Sequence, residues 1–121
     1  MQYKILIVDD EIYIREGLKQ FLDLEGHETA IASNGSLAID YLMEHKRDLI
    51  ITDIIMPEKD GIDVIIKAKE LYPEIKIIAI SGGGRINAKD HLRIAKQLGA
   101  DVVLTKPFST DELLEEIKKL F

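Results

Sequence analysis

Five short apolar runs alternate with segments of helical periodicity from one end of the chain to the other, and this alternation restricts the fold more than any other property of the sequence. Ile5 to Val8 is a continuous apolar run, as a strand buried on both faces requires. His27 to Ala32, Asp48 to Thr52, Ile77 to Ile80 and Asp101 to Leu104 read as four further strands. Helical spacing fills the intervals. Ile14, Leu18, Phe21 and Leu22 mark a helix over Glu11 to Leu24, and Leu37, Ala38, Tyr41 and Leu42 mark the next. Ile62, Ile65 and Ile66 follow Asp60 in a third, and a fourth runs from Asn87 to Leu98. Gly26 and Gly99 stand where helix C-caps belong, and Pro73 follows another helix end. Ser109, Thr110, Asp111 and Glu112 form a capping box for the last helix, whose final turn carries Lys118 and Lys119 on the favourable side of its dipole.

Five strand–helix units with short connections predict an α/β fold, a parallel sheet with helices on both faces. Right-handed crossovers leave few topologies, and the flavodoxin-like order 2-1-3-4-5 is the common one for five strands. A length of 121 residues suits one domain, residues 1–121, and no linker, repeat or low-complexity stretch divides it. The apolar fraction of 46% is ample for one core. No apolar run approaches a membrane span, and the amino-terminal residues lack the layout of a signal peptide, so membrane insertion is not expected. The absence of cysteine excludes disulfides, thiolate metal sites and cysteine nucleophiles, and suits the cytoplasm. A net charge of −6 argues against direct nucleic-acid binding, which relies on a basic surface to neutralise phosphates.

In such a sheet, ligands bind beyond the carboxyl ends of the strands, where the strand order reverses. The first strand ends in Asp9-Asp10-Glu11, the third in Asp53, the fourth in Ser81 and the fifth in Thr105-Lys106-Pro107. With strands one and three adjacent, Asp9, Asp10 and Asp53 converge. Three carboxylates in one pocket repel and resist desolvation unless a cation neutralises them, and a hard divalent ion such as Mg²⁺ is the natural solution. Lys106 adds a point charge and Ser81 a hydroxyl donor. A carboxylate nucleophile, a metal, a lysine and a hydroxyl are together what phosphoryl transfer needs. Each residue alone has an ordinary reading. Asp9 and Asp10 are good helix caps, Asp53 suits a turn before Met56-Pro57, Lys106 a solvated surface and Ser81 a loop. Their conjunction at four strand ends favours the chemical reading.

These residues resemble the receiver family of bacterial two-component response regulators, and the match covers the whole chain. Ile5-Leu6-Ile7-Val8-Asp9-Asp10-Glu11 resembles the family's first-strand acidic cluster, and Asp53 through Gly61 its phosphoacceptor loop. Ile80-Ser81 resembles its hydroxyl position, and Gly99-Ala100-Asp101 with Thr105-Lys106-Pro107-Phe108 its fifth strand and lysine. The resemblance implies that Asp53 takes a phosphoryl group from a histidine kinase, a histidine phosphotransfer protein or a small phosphodonor, and that a downstream protein reads the result. It implies Mg²⁺ held by Asp10, Asp53 and the backbone carbonyl of Ile55, with Asp9 acting through water. It further implies phosphoryl contacts from Ser81 and Lys106, and a cis Lys106–Pro107 bond. Such a protein catalyses only its own phosphorylation and dephosphorylation, shifting an equilibrium between inactive and active forms.

The sequence departs from the family's pattern at Val103, where an aromatic switch residue usually stands three positions before the lysine. Gly82-Gly83-Gly84-Arg85 lengthens the segment after Ser81; it lacks the P-loop pattern and reads as a flexible connection that could order when Ser81 engages phosphate. Lys89, Arg93 and Lys96 form a basic stripe, either a solvated face or a partner surface. His27, His45 and His91 show no metal-ligand spacing. Two enzyme or carrier readings fit less well. A haloacid-dehalogenase-type phosphatase needs Asp-x-Asp, and here Glu11 occupies the second acid position; a flavodoxin-like carrier needs a hydroxyl- and glycine-rich loop after strand one. The remaining rival is a degenerate receiver that binds partners without taking phosphate.

Overall fold

A computed structural model describes residues 2–54, 61–81 and 88–121, with the side chains of 88–92 excepted. Its elements are β1 (Lys4–Val8), α1 (Ile12–Leu24), β2 (Glu28–Ala32), α2 (Gly35–Glu44), β3 (Leu49–Asp53), α3 (Gly61–Leu71), β4 (Lys76–Ser81), α4 (Ala88–Leu98), β5 (Val102–Thr105) and α5 (Thr110–Leu120). All ladders are parallel, in the order β2-β1-β3-β4-β5. The expected architecture is the observed one.

Strand alternation divides the core in two. Leu6, Val8, Ile50, Ile77 and Ala79 face α2, α3 and α4, packing with Ala38, Leu42, Val64, Ile65, Ala68 and Ala95. Ile5, Ile7, Leu49, Ile51, Ile78 and Ile80 face α1 and α5, packing with Leu18, Leu22, Leu113 and Ile117. Each fully buried Leu or Ile side chain contributes roughly 1.5–3 kcal/mol, so the two layers drive folding. This two-sided burial is why the central strands read as continuous apolar runs.

Local signals set the ends of the elements. Ser109 Oγ accepts from Glu112 N–H at 3.0 Å and Glu112 Oε1 accepts from Ser109 N–H at 3.4 Å, closing the capping box. Asn34 Oδ1 caps α2 through Leu37 N–H. Gly26 and Gly99, just past α1 and α4, have φ of 94° and 126°, which side chains rarely adopt. Neither Asp9 nor Asp10 caps α1. Its N-cap is Glu11, without a side-chain cap bond, which leaves the acidic carboxylates for other work. Asp48 and Asp101 play a matching structural part before β3 and β5. Asp48 Oδ2 accepts from Lys4 N–H at 2.8 Å and Asp101 Oδ2 from Ile77 N–H at 2.9 Å, satisfying backbone donors of the neighbouring strands.

β3, β4 and β5 each extend one residue past the apolar run that marks them, to Asp53, Ser81 and Thr105. Asp53 pairs with Ile80 as the last residue of β3, and Ser81 pairs with Thr105 as the last of β4. Both polar side chains are therefore held by the ladder itself rather than by a loop.

Candidate functional site

The strand ends bring the acids together. Asp9, Asp10, Glu11 and Asp53 each offer a carboxylate oxygen within 4.8 Å of the others. Asp9 and Asp53 are buried, at 1% and 5% exposure, while Asp10 and Glu11 reach solvent. Lys106 arrives from the end of β5, passes β4 and enters this group. Its Nζ donates to Asp9 Oδ2 at 3.1 Å, Glu11 Oε1 at 3.3 Å and Asp53 Oδ2 at 3.3 Å. Its backbone N–H donates to Ser81 carbonyl oxygen at 2.8 Å, fixing the lysine beside the end of β4. The Lys106–Pro107 peptide is cis.

Asp9 is held on every side. Its N–H donates to Ala32 carbonyl oxygen at 3.2 Å, and its Oδ1 accepts from Glu11 N–H at 2.9 Å. Its carbonyl oxygen accepts from Arg15 Nη1 at 2.9 Å. Burial pushes its carboxyl above the ordinary value, and the bonds from Glu11 N–H and Lys106 only partly offset that. For Lys106, burial acts to lower the ammonium's pKa, but the attraction of Asp53, Asp9 and Glu11 outweighs it and the result is raised. Lys106 is thus held protonated. Four carboxylates still face one ammonium, an imbalance that a divalent cation with oxygen ligands would correct. The donor set, all carboxylate and clustered on one rim, fits such an ion.

Gly61 packs against the backbone at the end of β3. Its N–H donates to Ile54 carbonyl oxygen at 2.7 Å, and a Cβ there would stand 2.7 Å from Ile54 Cα and 2.9 Å from the carbonyl carbon of Asp53. Only glycine lets α3 begin this close to the end of β3.

Of the residues singled out by sequence, Asp9, Asp10, Asp53, Ser81 and Lys106 gather at one end of the sheet. Val103 lies elsewhere: it pairs with Ala79 and packs against the α2–α3–α4 core layer, with no polar atom to sense the site. Arg93 and Lys96 are exposed on α4. Ile55, the glycine-rich segment 82–84 with Arg85, and the side chain of Lys89 lie outside the described residues. Glu11 and Arg15 received no role from sequence. Glu11 stood beside the aspartates, but nothing in its spacing showed that it would reach Lys106. Arg15 lies six residues from Asp9 and gave no signal at all.

A family model described as response regulator receiver domain matches residues 5–118. Sporulation initiation phosphotransferase F of Bacillus subtilis is 35% identical over 119 residues, covering 98% of this chain and 94% of that protein. Chemotaxis protein CheY of the same organism is 38% identical over 120 residues, covering 98% of each. Among solved structures, response regulator TrrA of Thermotoga maritima in complex with Mg²⁺-BeF superimposes with a TM-score of 0.84 at 36% identity, over the full length of both chains. A CheY-like receiver domain protein of Methanospirillum hungatei gives a TM-score of 0.90 at 32% identity, covering 99% of this chain and 94% of that one.

Proposed function

The chain belongs to the response regulator receiver domain family, and from that premise we propose that Asp53 is the residue through which it performs two-component phosphoacceptor signalling. The observation that carries this reading is the placement of Lys106 Nζ among three carboxylates, 3.3 Å from Asp53 Oδ2. A buried carboxylate with a fixed ammonium beside it is a nucleophile whose charge is already compensated, and the same ammonium can follow the charge onto an incoming phosphoryl oxygen.

In the proposed reaction an Asp53 carboxylate oxygen attacks phosphorus in line. The new bond is Oδ–P, and the bond that breaks joins phosphorus to the donor, a histidine nitrogen or an acyl oxygen. Lys106 and the Ser81 hydroxyl contact the equatorial oxygens. Asp10 and Asp53, with Ile55 carbonyl oxygen, would hold Mg²⁺, and Asp9 would act on it through water. When bound, the ion supplies Lewis-acid charge to the phosphoryl oxygens. Asp9 keeps the acidic turn in place, anchored by Arg15, Ala32 and Glu11.

The partners that fit are a histidine kinase or histidine phosphotransfer protein as donor and a protein target as reader, and a cytoplasmic location suits such partners. Among the described residues no helix is long and apolar enough to cross a membrane. The protein acts on no separate substrate in this reading; it catalyses its own phosphorylation and dephosphorylation. A degenerate receiver would not need the acids, lysine and serine assembled together, and here they are.

Intact mass after incubation with acetyl phosphate and Mg²⁺ tests the proposal. One phosphoryl mass is expected in the unsubstituted protein with metal and none in Asp53→Asn; equal labelling of both would overturn it.

A further inference from the structure

At the opposite end of the sheet, Arg47 is buried with 7% exposure in the turn that leads into β3. Its guanidinium lies over the Tyr41 ring, 5.1 Å from the centroid, and Nη2 donates to the Tyr41 hydroxyl. Nε and Nη1 are shielded from solvent and, among the described residues, meet no hydrogen-bond acceptor. A guanidinium cannot shed its proton to escape this. Leaving donors of a buried charged group unmet is costly, and the ordinary remedy is an anion.

Arg47 lines a cavity of about 560 Å³, a volume suited to a small ligand. Lys46 and Lys76 share the lining and add two cations. Two acids are also present. Asp48 is committed to Lys4 N–H through Oδ2, and Glu74 is exposed. Leu71, Tyr72 and Phe121 contribute apolar wall. The cavity opens at Asp48, five residues before Asp53 at the far end of β3, a separation of roughly 16 Å at the usual rise per residue.

We propose that this cavity is a second ligand site, taking a small anion with a carboxylate or phosphate head and an apolar body, anchored by Arg47. The guanidinium presents a planar fork that matches either head in two hydrogen bonds. An anion entering the cavity draws the fork off the Tyr41 ring and supplies the acceptors that Nε and Nη1 lack. The apolar body rests against Tyr72 and Phe121. The site is independent of the phosphoacceptor reading, because none of its residues belongs to the acidic cluster.

The test is a nuclear magnetic resonance titration of the full chain, without metal, with benzoate, phenyl phosphate and inorganic phosphate as separate probes. The expected result is saturable shifts of the Arg47 Nε–H and of amides at Asp48, Lys76 and Phe121, stronger with a ring-bearing probe than with inorganic phosphate. Benzoate against phenyl phosphate distinguishes the two head groups. Arg47→Met is expected to weaken binding at least about tenfold, the loss of a charge-assisted pair, and to fold, since burying an apolar side chain there removes an unmet charge. Should that variant fail to fold, Lys46→Gln with Lys76→Gln keeps Arg47 in place and is expected to weaken binding severalfold. Shifts confined to Ser81 and Lys106, no saturation with any probe, or undiminished binding by the deciding variant would overturn the proposal.

Discussion

Lys106 Nζ and Asp53 Oδ2 stand 3.3 Å apart although 53 residues separate them in sequence. The pair exists because β5 and β3 flank β4, so that a lysine one residue past β5 can cross to the end of β3. Both groups are largely shielded, with side-chain exposures of 15% and 7%, and neither would be tolerable there alone.

Replacing Lys106 by methionine removes the ammonium that Asp9, Glu11 and Asp53 share. Phosphorylation of Asp53 by acetyl phosphate is expected to slow about 100-fold, the usual cost of losing one donor to developing charge. The rate of mass gain measures this, and a rate within twofold of the unsubstituted protein would contradict the role assigned to the lysine.

Asp9 links the proposed metal site to stability. Burial raises its folded pKa above the ordinary value of 3.8. The stabilising side of that shift is full below 3.8 and is lost as pH rises through the folded value, so the ionised carboxylate is a cost at neutral pH. In metal-free buffer Asp9→Asn is expected to melt higher than the unsubstituted protein. Added Mg²⁺ is expected to raise the melting temperature of the unsubstituted protein by mass action and to do so less for the variant. Thermal melts with and without Mg²⁺ decide both points.

Gly61→Ala would set a methyl group against the backbone of Asp53 and Ile54, which cannot swing aside as a side chain can. Destabilisation of about 1–3 kcal/mol is expected from such overpacking, along with slower phosphorylation because Asp53 is displaced. Denaturant unfolding and the acetyl phosphate assay check the two effects separately.

His27 gives the fold a dependence on pH remote from the acids. Its Nδ1 accepts from Tyr3 N–H at 3.1 Å, and its ring stacks on Tyr3. Burial is the main reason its pKa falls below 6.5. The neutral ring's contribution is therefore full above 6.5 and is lost as pH falls through that value toward the lower folded one, where the unfolded chain takes the proton first. The denaturation midpoint is expected to drop more between pH 7.5 and pH 5.5 in the unsubstituted protein than in His27→Gln.

The fold was legible because its signals are local. Ile5 to Val8 declares a two-sided strand by being apolar without interruption, and Ser109 with Glu112 declares a helix start within four residues. The apolar runs of β3 and β4 stop one residue before their polar ends at Asp53 and Ser81, because a polar side chain hides its backbone's place in the ladder. The site was legible as a set of residue types at strand ends. Val103 illustrates the opposite case: its difference from an aromatic was plain, whereas its packing against the α2–α3–α4 layer was not.

By itself, the sequence determined the order of elements, the sheet topology and the side of the sheet on which acids, serine and lysine collect, since periodicity, caps and crossover handedness act over short stretches or by general rule. Tertiary structure alone decided that Glu11 joins Lys106, that Arg15 holds the Asp9 carbonyl, and that Arg47 turns inward onto the Tyr41 ring. Those outcomes depend on where long side chains find room and charge once distant segments have packed, and no spacing along the chain encodes that directly.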